Sequence, residues 1–470
     1  MRRFVLALVG MSLMCLAQAQ NYQALHGSPY SGSLSNDFNP AAILNSPYAW
    51  DVTLFGAQFK ALTNVFNISN ASLISSADTL NINYKTGNHR RYVLASADIH
   101  LLNVRIGLGR KQAVAFGLNI RNYARIGTST YNYTDTTQNS TQFLAINQNN
   151  VPFSVNAAQS SWLELFGTYS RVFFEDDDAR FQGGVTLQLL RSLSGAYAYG
   201  SNGEYVPNGT GGYNLTNINA QYGYSENYDY YYAGQSAISK FKKAARLGAA
   251  GFSFDVGAEW VQKTGQDWGE ASKSGTDVYD WKLGAALLDV GFNRYRYGAQ
   301  SAVFNGVQQG QTDASLRTLN NINGLEQFND SIRGKVAEFG YISGAFNIMT
   351  PARAVINFDK RLAGYWAING ELSLNFTGVQ STYASVQELN LLTVTPRWEK
   401  SQLGAYLPIE VTNQGQFWVG AAVKAGPLLL GLHNLGWLVS KKSMPNGGGY
   451  LAIIIHPGEF EKDAVPCPTY

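Results

Sequence analysis

Cysteine is nearly absent from this chain of 470 residues, which holds only Cys15 and Cys467. If Cys15 leaves with a leader, one cysteine remains, and neither an internal disulfide nor a cysteine-based zinc site can form. Charge is scarce too, at 14% of residues, and balanced, with 35 Lys+Arg against 32 Asp+Glu. Such a chain lacks the positive field that holds nucleic acid, so no nucleic-acid partner is expected. Long apolar runs are missing after the N-terminus: even the stretch from Pro427 to Val439 is broken by Gly431, His433 and Asn434. No spanning helix can be drawn, and any membrane crossing must use strands. Catalytic signatures are missing as well. None of the five histidines (His26, His89, His100, His433, His456) has metal-site spacing, and there is no nucleophile elbow, phosphate loop or C-x-x-C. The expectation is therefore a protein that is not an enzyme, with no catalytic residue, no metal ligand and no cofactor.

What is abundant points to strands and turns: aromatics make up 13% of the residues, with 48 glycines and 28 tyrosines. Arg2 and Arg3, the apolar stretch Phe4 to Leu16 and the small residues of Ala17-Gln18-Ala19 read as a secretory leader over residues 1–19, cut before Gln20. Cys15 invites a lipoprotein reading, but Met14 before it is too large for lipoprotein processing. Alternation with period two is strong in several segments. Phe252, Phe254, Val256, Ala258 and Trp260 alternate with Ser253, Asp255, Gly257 and Glu259, and Trp366 to Phe376 repeats the pattern. A soluble sandwich would give the same alternation with its faces exchanged.

Connection lengths separate the two readings, because a membrane barrel has short turns at its periplasmic end and long loops outside. About fourteen strands are expected, at roughly 49–61, 91–109, 112–125, 161–174, 181–194, 247–262 and 278–298 in the first half. The second half continues at roughly 352–360, 364–377, 389–399, 403–412, 416–425, 427–438 and 448–458. Connections then sort into short and long ends, with 263–277 the one turn longer than expected. The fold class is thus all-β, a transmembrane antiparallel up-and-down barrel spanning 49–460, preceded by a segment at 20–48 and followed by a periplasmic tail at 461–470. Its localisation would be the cell outer membrane, with outer-membrane lipid as its surroundings. Trp162, Trp260, Trp281, Trp366, Trp398 and Trp418 are expected at the lipid interfaces. Doubled apolar pairs at Leu101-Leu102 and Leu287-Leu288 shift the strand phase, as a β-bulge does.

Between Tyr22 and Tyr48 the sequence holds Gly32, Ser33, Asn36 and then Asn39-Pro40-Ala41-Ala42. This resembles the N-terminal plug segment, with its Asn-Pro-Ala signature, of FadL-type outer-membrane channels. Leu25-His26-Gly27-Ser28-Pro29 also resembles the starts of uncharacterised Bacteroidota outer-membrane proteins, a group that includes FadL-like components linked to type IX secretion. The resemblance implies fourteen strands, a hatch inside the lumen built on Asn39, Pro40 and Ala41, and long third and fourth outer loops. It also implies a hydrophobic small molecule as cargo, caught first by an outer-loop groove, for which Leu316, Leu319 and Phe328 are the candidates. Their spacing, continued to Ile332, suits an amphipathic helix that Gly324 weakens, while Ile238 to Leu247, with Lys240, Lys242, Lys243 and Arg246, reads as a short basic helix.

Alternation turns a mixed charged set into the lumen: Arg105, Arg121, Asp255, Glu259, Glu371, Arg397 and Glu399, with Asp98, Glu164, Arg353, Asp359, Glu410 and Lys424. Such a set can bind a hatch through ion pairs or wet a pore, and is not a greasy tunnel. Two functional classes remain open: a channel for a small hydrophobic molecule, and a structural or secretion-accessory barrel whose loops and tail bind secretion or envelope proteins.

Overall fold

The computed structural model describes residues 22–69, 81–231, 234–264, 279–377, 384–436 and 444–457. The expected leader and C-terminal tail, both cysteines, and nearly all of the connection 263–277 lie outside these residues. Fourteen antiparallel strands close into one barrel. In chain order they are β1 (Trp50–Thr63), β2 (Gly87–Gly107), β3 (Gln112–Tyr133), β4 (Phe153–Glu175), β5 (Ala179–Pro207), β6 (Ala250–Lys263) and β7 (Tyr279–Arg296). Then follow β8 (Arg353–Arg361), β9 (Trp366–Asn375), β10 (Leu391–Glu399), a split β11 (Leu403–Tyr406 and Ile409–Thr412) and a split β12 (Phe417–Val419 and Ala421–Ala425). The wall ends with β13 (Leu428–Leu432) and β14 (Asn446–Ile455), and β1 pairs with β14 from Val52↔Ile455 to Leu62↔Asn446. This seam removes the open edges that a flat sheet would leave.

The faces are those of a membrane barrel. Phe173, Leu189 and Leu165 are 67%, 61% and 54% exposed on the outside, whereas Gln182, Thr186 and Asp255 on the inside are buried. In water this arrangement would expose a continuous apolar belt, whereas a bilayer covers it. Strands β2 to β5 run past the expected limits, to Gly87, Tyr133, Phe153 and Pro207. Above the bilayer both faces meet water, so alternation, the signal that marked the strands, fades there. The expected phase shifts coincide with register breaks, between His100 and Leu102 on β2 and between Leu287 and Val290 on β7. Two of the six tryptophans are not at the lipid surface. Trp162 and Trp418 are buried inside the barrel because they share the strand face of the lumen residues Glu164 and Glu410.

Beyond the outer rim β5 pairs with Tyr213–Tyr224, which pairs with Ala302–Asn305. Among the described residues three α-helices complete the outer loops: α1 (Ser140–Ala145), α2 (Ala237–Leu247) and α3 (Leu325–Arg333). Asp313 ties α1 to the strand that begins at Tyr213: its carboxylate accepts from the Tyr213 amide at 3.0 Å and from the Thr141 hydroxyl, while its carbonyl accepts from Ser140 Oγ at 3.3 Å. The Thr141 hydroxyl, followed by the Tyr213 amide, holds this carboxyl below its usual range against the opposing effect of burial. A carboxyl with a lowered folded-state pKa stabilises above its unfolded value, near 4, and loses that contribution as pH falls through the folded one. The protection of amides across residues 139–146, corrected for the intrinsic pH dependence of exchange, should therefore fall as the pH drops below about 4, and Asp313→Asn should show low protection already at pH 7.

Candidate functional site: the filled lumen

Residues 22–48 do not join the wall. Proline and glycine keep them from extended pairing, and they coil into three 3-10 turns, Gln23–Leu25, Pro29–Asp37 and Pro40–Asn45, inside the barrel. Asn39 caps the third turn, its side-chain oxygen accepting from the Ala41 amide at 2.9 Å. One side of the segment is apolar: Tyr22, Ala24, Leu25 and Leu34 pack on Tyr406, Leu429, Tyr450 and Ile454.

The other contacts are polar, and the wall's basic residues grip backbone carbonyls. Arg105 donates to the carbonyls of Ile43 and Tyr48, at 2.6 and 2.8 Å, while pairing with Asp51 at 3.2 Å. Arg353 donates to the Asp37 carbonyl at 2.9 Å. Arg397 and Lys282 converge on the Gly27 carbonyl at 3.2 and 2.7 Å. Only glycine serves at position 27, where φ is +74° and a Cβ would collide with Asp359 and Asn369. Wall acids bind the segment's side chains. Glu371 meets His26 Nδ1 at 2.5 Å, Glu399 accepts from Ser28 at 2.6 Å, and Glu259 accepts from Asn45 at 2.6 Å.

The Asn39-Pro40-Ala41 turn rests on glycines. A Cβ on Gly184 of β5 would stand 2.6 Å from the Pro40 carbonyl carbon, and one on Gly284 of β7 would stand 2.9 Å from Asn39 Nδ2. Between them, a Cβ on Gly257 of β6 would collide with Asn39 Oδ1 and lie 3.0 Å from Pro40 Cδ. Sequence reasoning missed this seat. Its trace was present as Gly257 and Gly284 at inward-facing positions of otherwise strong strands, where a glycine marks close backbone approach.

A layer of ion pairs lies above the segment. Arg121 binds Asp289 with both terminal nitrogens, one at 2.9 Å, and also Glu164 at 3.2 Å and Asp98 at 3.3 Å. Arg353 reaches Asp289 at 3.1 Å, and Asp255 accepts from the Asp289 amide at 2.6 Å. A second such group joins Arg397 to Asp359 and Glu399 near the segment's start. Two cavities flank Asp37, of about 10 and 20 Å³, each room for a water molecule or so. Higher still, Tyr123, Trp162, Tyr197, Tyr295, Phe346, Ile348 and Val386 form an aromatic layer.

Of the sequence-derived candidates, Arg105, Arg121, Asp255, Glu259, Glu371, Arg397 and Glu399 are all buried within the barrel, most of them in these networks. In the outer loops Leu319 and Phe328 pack with Phe304, Ile332 and Val336 as a small core, and Leu316 belongs to the turn Asp313–Asn321. Gly324, with φ +97°, divides that turn from α3, so the expected continuous helix is two pieces.

These features define a closed fourteen-strand membrane-type barrel filled from within by its own N-terminal segment. The chain belongs to a family of unknown function, DUF5723, whose model matches residues 40–432. No curated protein sequence matches it. Among solved structures it is similar to a ΔS2S3 mutant of the monoaromatic hydrocarbon channel TodX, at 9% identity over 90% of this chain and 93% of that one, with a TM-score of 0.37. It is also similar to the Ralstonia pickettii toluene transporter TbuX, at 9% identity over 90% and 94% with a TM-score of 0.32. A Pseudomonas aeruginosa FadL homologue gives 9% identity over 88% and 91% with a TM-score of 0.36. Likeness of this degree bears on neither cargo nor mechanism.

Proposed function

We propose that the chain is an outer-membrane channel in which residues 22–48 act as an internal hatch, and that it passes a small hydrophobic molecule. The observation that carries this reading is how the segment is held. It is buried in the lumen, yet its polar anchors are side-chain hydrogen bonds from the wall rather than strand pairing. Such contacts can be exchanged for water without opening the wall. The loop core around Phe304, Phe328 and Ile332 and the aromatic layer below it offer apolar surface in sequence from the outer rim inward. The charged layer beneath is no path for such a cargo. A second reading, an accessory barrel for secretion or envelope proteins, is favoured by the extent of the ion pairs that fill the lumen.

Deleting residues 22–48 separates the two. For a channel, the deletion variant should conduct ions in planar bilayers where the full chain is silent, and cells carrying the full chain should take up a hydrophobic probe faster than cells lacking it. A deletion variant that stays silent sinks the hatch. Uptake unaffected by the full chain, together with a reproducible co-purifying protein, favours the accessory barrel.

A further inference from the structure

The top of the lipid-facing belt carries a basic patch that neither the lumen nor transport calls on. Leu189 on β5, Phe252 on β6 and Phe292 on β7 are neighbours in register and form one exposed apolar row across three strands. Two residues further along, on the same outward face, stand Arg191 and Arg294, and beyond Arg294 stands Arg296, all exposed. Two residues of a tilted strand rise about 5 Å, which moves from the last apolar row to the headgroup level.

Helix α2 lies against this place. Arg191 donates to the carbonyls of Ala245 and Arg246 at the helix C-terminus, at 2.7 and 2.9 Å, and the Ser192 amide donates to the Ala249 carbonyl at 3.0 Å. Because Arg191 shares the outward face of Leu187 and Leu189, the helix end is pinned to the outside of the wall. Ala244 is its buried contact, and Lys243 stacks on Tyr230 at 4.3 Å. Beside that contact lie Phe241, 41% exposed, and Ile238, 69% exposed, and next to them the exposed cations Lys242 and Arg246. Apolar side chains at i and i+3, flanked by cations on an 11-residue helix continuous with a lipid belt, suit a helix lying in a membrane interface. Glu226 answers Arg296 at 3.5 Å, and Asp229 accepts from the Tyr224 hydroxyl. The patch keeps a positive excess.

We propose that α2 and the adjoining wall bind the phosphate-bearing head of an outer-leaflet glycolipid. Arg191, Lys242, Arg246 and Arg294 face its phosphates, and Ile238 and Phe241 enter its acyl boundary. The proposal rests on the outer-membrane placement but not on transport. It is tested on the purified full chain in detergent by native mass spectrometry, titrating bisphosphorylated lipid A, its dephosphorylated form and inorganic phosphate. Lipid A should bind at least about tenfold more tightly than the dephosphorylated lipid. Lys242→Glu/Arg246→Glu/Arg294→Glu should erase that preference, and Ile238→Ser/Phe241→Ser should weaken both lipids alike. Equal affinity for the two lipids, a preference untouched by the triple change, or displacement by millimolar inorganic phosphate overturns the proposal. Heat-modifiable gel mobility checks that each barrel is closed, and Lys242→Gln/Arg294→Gln reads the same preference should the triple variant not fold. Fractionation of the unaltered chain away from the outer membrane would instead overturn the placement.

Discussion

Arg121→Met is expected to destabilise the barrel by about 3–5 kcal/mol, the cost of leaving buried carboxylates without their cation. Among the described residues Arg121 is the one side chain that touches Asp98, Glu164 and Asp289 together, and it also meets the Tyr123 hydroxyl. Its loss leaves Asp289 to Arg353 and leaves Glu164 with the Asn119 amide and the Trp162 indole. The measurement is the urea midpoint of unfolding in detergent micelles. Adding Asp289→Asn should recover part of the loss, because one uncompensated charge is removed with its partner; a double-mutant cycle isolates that coupling. A single change that moves the midpoint by less than about 1 kcal/mol would mean that lumen water already screens these charges, and that the layer is wet rather than structural.

A second large effect should follow from Gly257→Val. The wall tolerates valine in a strand, so the cost falls on the Asn39-Pro40-Ala41 turn that the new side chain would displace, about 1–3 kcal/mol of overpacking. That would shift a seated segment toward an unseated one by about fivefold to a hundredfold, at 1.4 kcal/mol per factor of ten. The unseated state should appear as brief conducting events in planar bilayers and as new protease cleavage between residues 36 and 48, with the barrel's gel mobility unchanged. Valine at Gly127, where a Cβ would meet nothing within 4 Å, is the matched control. Conduction equal in both variants would detach the glycine seat from any gating.

The fourteen strands were legible because the bilayer imposes a strict rule on one wall face. Phe252 to Trp260 and Trp366 to Phe376 obey it residue by residue, and the doubled leucines at 101–102 and 287–288 fall at register breaks. Where that rule lapses, so did the reading. The rim extensions of β2 to β5 have no face that must be apolar. Trp162 and Trp418 were misplaced because ring chemistry suits both an interface and a lumen, and only strand parity decides between them. Many inward charges could be named but not paired, and Asp289, which lies inside the register break of β7 where parity is lost, was missed; it stands 168 positions from Arg121, and only closure brings them together. The glycine seat was missed for a different reason. An inward glycine in a strong strand marks a close approach but does not say which segment makes it.

The seam between the first and last strands dictates an order of assembly. Residues 52–62 hydrogen-bond to residues 446–455, so the wall cannot shut until almost the whole chain has been delivered. The three coiled turns ahead of β1 are continuous with the first strand, so they stand at the closing wall before that final zipping. Arginines that later grip those turns would meanwhile face water, ready to receive carbonyls as the circle tightens. A chain halted before residue 446 would be left as a curved ribbon with two raw edges, exposed to aggregation and to proteases.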